Sequence, residues 1–464
     1  MEKINLTKKK ILFLGYGAVA KCVWNLFDRY FLYNRKRVVL VDKSKNTFYG
    51  PGIKGIKKKV LNVDSTTFDD LIVSLSFKKG DVIIDLTTSS STYYFVKQCL
   101  LNGFHYINTS IEDDKDKMAG QSIDCQQQTI LEIAKGITPQ SNVLIECGQN
   151  PGLIQHYVLH AFEQLKKESK VKTDIDIIKK YKIGTILMSE IDALKRVSTT
   201  PLQKDLIYNT WSVAGYIAEA IDCTELVRGK NNKYIQPVIK EESKNELLMK
   251  IYPSVGDYEV VFLNDIGMNT SLQSICPVLT TNKIEFQNYQ GKLVHHGEMF
   301  ELARYFGEYA PFMTYVYRTN EYADQSIKTF IDKYEDINDC LLYVNQPDTF
   351  EVFDNIKHTM SGYDSIGCTI FCGDKKVDRI FWCGSVLCDD DVDAKEFTPT
   401  IVQVAAGVLS GLSFILEPEH KNMGLIEPLD MDTEYVLTKS IPLLGKFMFL
   451  EIPVDKFHGF NEKM

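Results

Sequence analysis

Through its first 150 residues the chain alternates short apolar runs with amphipathic stretches. The runs Ile11 to Leu14, Val38 to Val41, Lys58 to Leu61, Val82 to Leu86, Tyr106 to Asn108 and Val143 to Glu146 read as strands. Between them, Val19 to Tyr30, Phe68 to Ser74, Thr92 to Leu101 and Ser122 to Lys135 repeat their apolar positions at helical spacing. Short apolar strands each followed by a helix suit a sheet covered on both faces. The pattern therefore predicts an α/β fold with a doubly wound, Rossmann-type parallel sheet.

The texture changes near Pro151. A helix over Leu153 to Leu165 precedes longer β-rich stretches at Ile183 to Met188, Ile284 to Val294, Met313 to Tyr317, Ser365 to Phe371 and Arg379 to Leu387, which no longer alternate with helices. This predicts a second, mixed α+β domain. Thr398 to Leu416 is helical again and is closed by Pro418 and Gly424. The expected organisation is a Rossmann-type domain at 1–150, a mixed α+β domain at 151–397, and a return to the first domain at 398–464.

The 464 residues carry 61 acidic and 53 basic side chains, a formal net charge of -8. That balance argues against a nucleic-acid or anionic-membrane partner, which would require clustered Lys and Arg. The most apolar stretch, Val402 to Leu416, is shorter than the ~18 to 20 residues of a bilayer span and contains Gln403, Ser410 and Ser413, so it reads as a buried helix. Lys8-Lys9-Lys10, Ile11 to Leu14 and Ala18-Val19-Ala20 imitate a secretory signal. Gly15 and Gly17 interrupt that apolar run, however, and a glycine-rich turn after a strand explains every position. Eleven scattered cysteines without a CxxC favour reduced thiols in a cytoplasmic protein, and no cluster has metal-ligand spacing. The segments Lys54 to Lys59 and Arg228 to Lys240 read as solvated surface.

Gly15-Tyr16-Gly17-Ala18-Val19-Ala20 is G-x-G-x-x-A between a strand and a helix. Gly15 permits the tight turn, Gly17 lets a pyrophosphate approach the backbone, and the first helical N–H groups at Ala18 and Val19 face the anion. Asp42, at the end of the second strand, is placed to accept from the ribose hydroxyls, which favours NAD over NADP. Thr87, Thr88 and Ser89 follow the fourth strand at the edge where such folds bind ligands, and Thr109 joins them after the fifth. A Ser/Thr helix cap reads the Thr87 to Ser91 run equally well.

Further along come Glu146-Cys147-Gly148-Gln149-Asn150-Pro151-Gly152, Asn209-Thr210-Trp211-Ser212-Val213 followed by Gly215 and Glu219, His296-Gly297-Glu298, Gly362-Tyr363-Asp364-Ser365-Ile366-Gly367 and Val402-Gln403-Val404. In this order they resemble bacterial-type homospermidine synthase, a family related to the saccharopine-dehydrogenase-like oxidoreductases. The resemblance runs from about Ile11 to Leu444. It implies an enzyme, a homodimer, that converts two putrescine molecules to homospermidine and ammonia, with NAD reduced and reoxidised in each cycle. The family's diamine-site positions fall on Glu112, Asn150, Glu190, Trp211, Glu219, His296, Glu298 and Asp364. The family's Pro-Trp is replaced by Asp113-Asp114, Ser89 stands where some relatives carry a carboxylate, and the stretch from Glu225 to Tyr252 is short. These departures bear on which amine is accepted.

The same residues form a coherent chemical set. A diamine is a dication at neutral pH, each ammonium titrating near ~10. Glu112, Glu190, Glu219, Glu298 and Asp364 can neutralise it, and Trp211 can hold an ammonium by cation–π attraction worth roughly 0.5–2 kcal/mol. Hydride leaves the carbon beside nitrogen only when that nitrogen has a free lone pair, so a base must take one proton. Glu190 and His296 are the candidates, with Asn150 as an amide facing cofactor or substrate. Two other readings remain open. One is a carboxynorspermidine- or saccharopine-type dehydrogenase, which consumes NAD(P)H stoichiometrically and would want arginines for a carboxylated substrate. The other is a dinucleotide-binding protein that has lost catalysis.

Overall fold

The computed structural model describes residues 2–50, 52–88, 91–112, 122–197, 207–237, 240–241, 250–253, 257–280, 283–332, 350–352, 360–392 and 395–459. Ser89 and the Asp113-Asp114 pair lie outside them. The chain divides into two compact units, one formed by Met1–Leu153 with Ile401–Leu443 and the other by Ile154–Thr400 with Leu444–Met464.

The first unit is built on a seven-stranded parallel sheet. Its order is Gly424–Ile426, Asn142–Leu144, His105–Asn108, Val82–Asp85, Ile11–Leu14, Val38–Asp42 and Lys57–Val60. Ile11–Leu14 is buried at every position because it lies inside the sheet with helices on both faces. Leu12, Leu14, Val39, Val41 and Ile83 share one core with Phe68, Phe95 and Tyr106. Phe13, which alternates to the other face, packs edge-on against Trp24 and Phe27 of the helix Ala18–Tyr30.

The return of the chain is shorter than expected. It supplies the helix Pro399–Leu416 and the edge strand Gly424–Ile426 and ends at Leu443, whereas the sequence reading carried it to 464. The last segment instead forms the strand Lys446–Ile452, which pairs antiparallel with Arg379–Cys388 in the second unit. Its alternating apolar positions look alike for either sheet, so only pairing decides. Pro399–Leu416 is long and apolar enough to cross a membrane, but 94% of it is buried within the protein.

The second unit carries an eleven-stranded mixed sheet. Its centre is Ile183–Asp192, buried along all ten residues. On one side it runs parallel to Phe312–Arg318, with Tyr317 opposite Glu190. On the other it runs antiparallel to Tyr363–Cys372, with Asp364 opposite Asp192. The strand period sends Leu187 and Ile191 to one face, where they join Val316, Phe371 and Trp382 in the main apolar core. Glu190 and Asp192 consequently point to the other face.

The Cys147–Gly152 turn has a packing reason within the first unit. A methyl group on Gly407 would collide with the Gly148 carbonyl, and one on Gly411 would collide with the Cys147 sulfur. The helix thus presents two glycines, one turn apart, on which the turn lies. Gly407→Ala should lower stability by ~1–3 kcal/mol, the cost of overpacking, despite alanine's better helix propensity. A urea midpoint equal to that of the unaltered protein would refute this packing argument.

Candidate functional site

In the first unit, strand, turn and helix form an anion cradle. Gly15 adopts φ +76°, and a Cβ there would lie 2.7 Å from the Leu86 carbonyl, so both conformation and space require glycine. Gly17 is different, because a Cβ there would meet nothing within 4 Å. It precedes Ala18–Tyr30, whose N-terminus has no side-chain cap. The unpaired N–H groups near Ala18 and Val19 therefore open onto free space, which fits a pyrophosphate. Asp42 is locked in place, one oxygen accepting from the Tyr16 N–H at 2.7 Å and the other from the Ser44 N–H at 2.8 Å. A carboxylate fixed beside the glycine turn fits a ribose diol.

The Thr87 hydroxyl is committed inward. It donates to Asp85 at 2.7 Å, and the Tyr106 hydroxyl donates to the other Asp85 oxygen at 2.7 Å. Its observed role is to shape the loop; it caps no helix, and the helix Thr92–Asn102 that follows has Ser91 at its N-cap without a side-chain cap bond, so the cap reading does not hold for this run. Thr88 is exposed, and Thr109 packs against Gly148. Glu112 and Asn150 also lie in the first unit, and Glu112 accepts from the Ser110 hydroxyl at 2.7 Å.

The second unit gathers the remaining site residues. Glu190 accepts a hydrogen bond from the Tyr315 hydroxyl, and the Tyr315 ring stacks on His296 with centroids 4.0 Å apart. His296 stands between two carboxylates, its Nδ1 3.1 Å from Glu298 and its Nε2 3.3 Å from Glu219. Glu298 is buried and opens the helix Glu298–Phe306, while Glu219 lies on Val213–Ile221, which Ser212 caps by accepting from the Gly215 N–H. Trp211, just before that cap, donates its indole N–H to Tyr317 at 3.1 Å. Asp364 accepts from the Thr400 hydroxyl at 2.5 Å, and its other oxygen is buried without a hydrogen-bond partner.

Burial governs the protonation of this group. Removal from water pushes Glu190 up to about 8, and the neighbouring Asp192 adds to the shift while the Tyr315 hydrogen bond opposes it. Asp192 rises to about 6, again through burial, opposed by its bonds from Thr210 and the Leu194 N–H. Burial and the charges of Glu190 and Asp192 hold Asp364 well above the ordinary carboxylate range. Burial alone would lower His296, but the charges of Glu298 and Glu219 outweigh it and raise the imidazole well above its usual value. His295 differs, since burial lowers it and its partner is the Cys223 carbonyl at 3.2 Å.

Asp192, Tyr315 and Tyr317 were not singled out from the sequence. Two signals were available: Asp192 stands two residues after Glu190 on one strand, and the two tyrosines alternate within Met313 to Tyr317. Thr400 was not accessible in this way, because its contact with Asp364 is purely tertiary.

The glycine-turn cradle with its fixed carboxylate fits a dinucleotide, and the buried acid–imidazole group of the second unit suits a cationic ligand. The family described as saccharopine dehydrogenase NADP binding domain matches residues 11–138. Over 94% of its length the chain resembles homospermidine synthases, being 23% identical to that of Mesorhizobium japonicum, of which it covers 88%, and 22% identical to that of Blastochloris viridis, of which it covers 89%. The fold is also that of the Legionella pneumophila homospermidine synthase solved in complex with NAD, with a TM-score of 0.76 at 20% identity over 97% of this chain and 92% of that one. The apo saccharopine dehydrogenase of Saccharomyces cerevisiae is more distant, with a TM-score of 0.52 at 12% identity over 96% of this chain and all of that one.

Glu190, Asp192 and His296 share one sign of linkage. Each has a native pKa above its unfolded value, so the native state holds extra protons from about pH 4 to beyond 8. Stability should fall as pH rises through that window, by about 1.4 kcal/mol per pH unit for each extra proton. The thermal midpoint of Glu190→Gln should decline less between pH 5.5 and 8.5 than that of the unaltered protein. Equal slopes would contradict the assignment of a proton to Glu190.

Proposed function

We propose that the chain is an NAD-dependent homospermidine synthase that joins two putrescine molecules and releases ammonia. The observation that carries this reading is the buried acidic face of Glu190, Asp192 and Asp364 beside His296 with its two glutamates. The named partners of these carboxylates are hydroxyls, a backbone N–H and an imidazole, with no arginine or lysine among them. Carboxylated substrates of saccharopine-type dehydrogenases would call for cationic partners; a diamine calls for these.

NAD, when bound, supplies the chemistry of accepting a hydride and returning it. The cradle at Gly17 to Val19 would hold its pyrophosphate and Asp42 its ribose diol. Asp42 would repel a 2′-phosphate, which selects NAD although the matched domain family is described by NADP. In the second unit, Glu190, ionised once a bound ammonium has displaced its proton, takes the proton that frees one amine lone pair, while His296, already cationic between Glu219 and Glu298, is not available as that base. Trp211 offers its face to an ammonium or iminium, and the remaining carboxylates neutralise the distal charge. The first amine nitrogen leaves as ammonia after the second putrescine nitrogen has bonded to the same carbon, and one acid of the cluster supplies the proton for that departure. Exclusion of water keeps the imine from hydrolysing to an aldehyde. The proposal includes a homodimer, as the family resemblance implies, working in the cytoplasm, as the scattered cysteines without a CxxC suggest.

Because the hydride is returned, the cofactor is not consumed. Incubation with excess putrescine and substoichiometric NAD should give homospermidine over many turnovers without accumulation of NADH. A yield capped by the NAD supplied, with NADH absorbance rising in step, would establish a net oxidation instead.

A further inference from the structure

The opposite edge of the first unit's sheet carries a second binding feature. In a parallel sheet every strand begins at the same edge, and Ile11–Leu14 is flanked in register by Val82–Asp85 and Val38–Asp42. The segments entering these three neighbours are Lys8-Lys9-Lys10, Lys78-Lys79-Gly80-Asp81 and Arg37. They converge on a cavity of about 450 Å³ whose lining includes all six of these cations and one carboxylate, Asp81. The glycine turn at Gly15 lies at the other end of Ile11–Leu14, four residues away or roughly 13 Å at the usual strand rise. The cavity and the cofactor cradle are therefore different places.

The cations are fixed by carbonyl groups and not by acids. Lys9 donates to the Gly80 carbonyl at 2.6 Å, Lys10 to those of Leu75 and Ser76 at 2.5 Å each, and Arg37 to that of Lys8 at 2.9 Å. Both Asp81 oxygens are occupied by backbone, accepting from the N–H groups of Lys10 and Lys78 at 2.8 Å each. Among the described residues, none of the six cations has a carboxylate oxygen within ion-pairing distance. Lys9 is held partly out of water, which disfavours its charge, and Asp81 offsets only part of that. A chain with net charge -8 has thus concentrated six cations against one acid in a single concavity. Repulsion among them is relieved only by an anion or by dilution into solvent.

We propose that this cavity binds a compact oligophosphate, either a free triphosphate or the triphosphate of a nucleotide. A triphosphate carries enough negative charge to meet the surplus of about five, and its oxygens can be shared among separate ammonium groups. Orthophosphate has too few charges to bridge three strand entries.

Titration calorimetry on the full-length, NAD-saturated protein tests this with tripolyphosphate, ATP and orthophosphate as probes. Tripolyphosphate should bind at least tenfold more tightly than orthophosphate, with an affinity that falls steeply with salt. Equal affinities for tripolyphosphate and ATP would identify the phosphate chain as the recognised element; tighter ATP binding would identify the nucleotide as the source. Lys8 and Lys78 are exposed and donate no side-chain hydrogen bond among the described contacts, so Lys8→Ser/Lys78→Ser should melt normally and bind NAD normally. It should bind tripolyphosphate at least tenfold more weakly, with a shallower salt slope, while Lys375→Ser/Lys376→Ser, exposed in the second unit and absent from the cavity lining, should not. Equal weakening in both double variants would overturn the proposal, as would unchanged binding in the first or displacement of NAD by tripolyphosphate.

Discussion

The second unit is organised around the burial of carboxylates on one face of a single strand. Glu190 and Asp192 are two residues apart on Ile183–Asp192, and the pairing with Tyr363–Cys372 brings Asp364 alongside them. Charged carboxylates in that position would cost several kcal/mol each. The structure meets the cost by keeping protons on the group and by giving each acid a donor: Tyr315 for Glu190, Thr210 for Asp192 and Thr400 for Asp364. A site prepared in this way is under-neutralised toward cations. A dication can replace the protons, and that exchange is the chemical basis for reading the unit as an amine receptor.

The opposite face of the same strand makes this arrangement tolerable. Leu187 and Ile191 anchor it in an apolar core with Val316, Phe371 and Trp382, so the strand is held whatever the acids do. Stability and function are separated by the two-residue period of the chain, one parity for packing and the other for charge. His296 belongs to the functional parity through its stack on Tyr315, and its two glutamates keep it cationic when the site is empty. In the first unit the corresponding division is between Gly15, which is glycine because the backbone and Leu86 demand it, and Gly17, which is glycine beside open space.

Much of this was legible before any coordinates. All six strands expected over Ile11 to Glu146 appear within a residue or two; five are buried parallel strands that leave continuous apolar runs bounded by helical periods, and the exposed Lys57–Val60 was legible through its place in the alternation. Glu190, Trp211, Glu219, His296, Glu298 and Asp364 were found through motif resemblance, and all lie in the second unit. The partners were harder to see. Thr400 reaches Asp364 across 36 residues and Tyr315 reaches Glu190 across 125, and neither separation has a local signature. The strand Gly424–Ile426 is three residues long, too short for a periodicity to register, and Lys446–Ile452 joined the second sheet through pairing that no local pattern specifies. The Cys147–Gly152 motif read as chemistry also has a steric reason, since two glycines of a helix about 260 residues away receive it.

The account rests on the empty site carrying protons that a diamine expels. Putrescine binding, measured calorimetrically near pH 7 in buffers of differing ionisation enthalpy and without oxidised cofactor so that no turnover follows, reads this directly. With Glu190 near 8, the observed heat should depend on the buffer in the sense of net proton release, by about one proton, and Glu190→Gln should release fewer. Buffer-independent heats, or net proton uptake, would contradict the account.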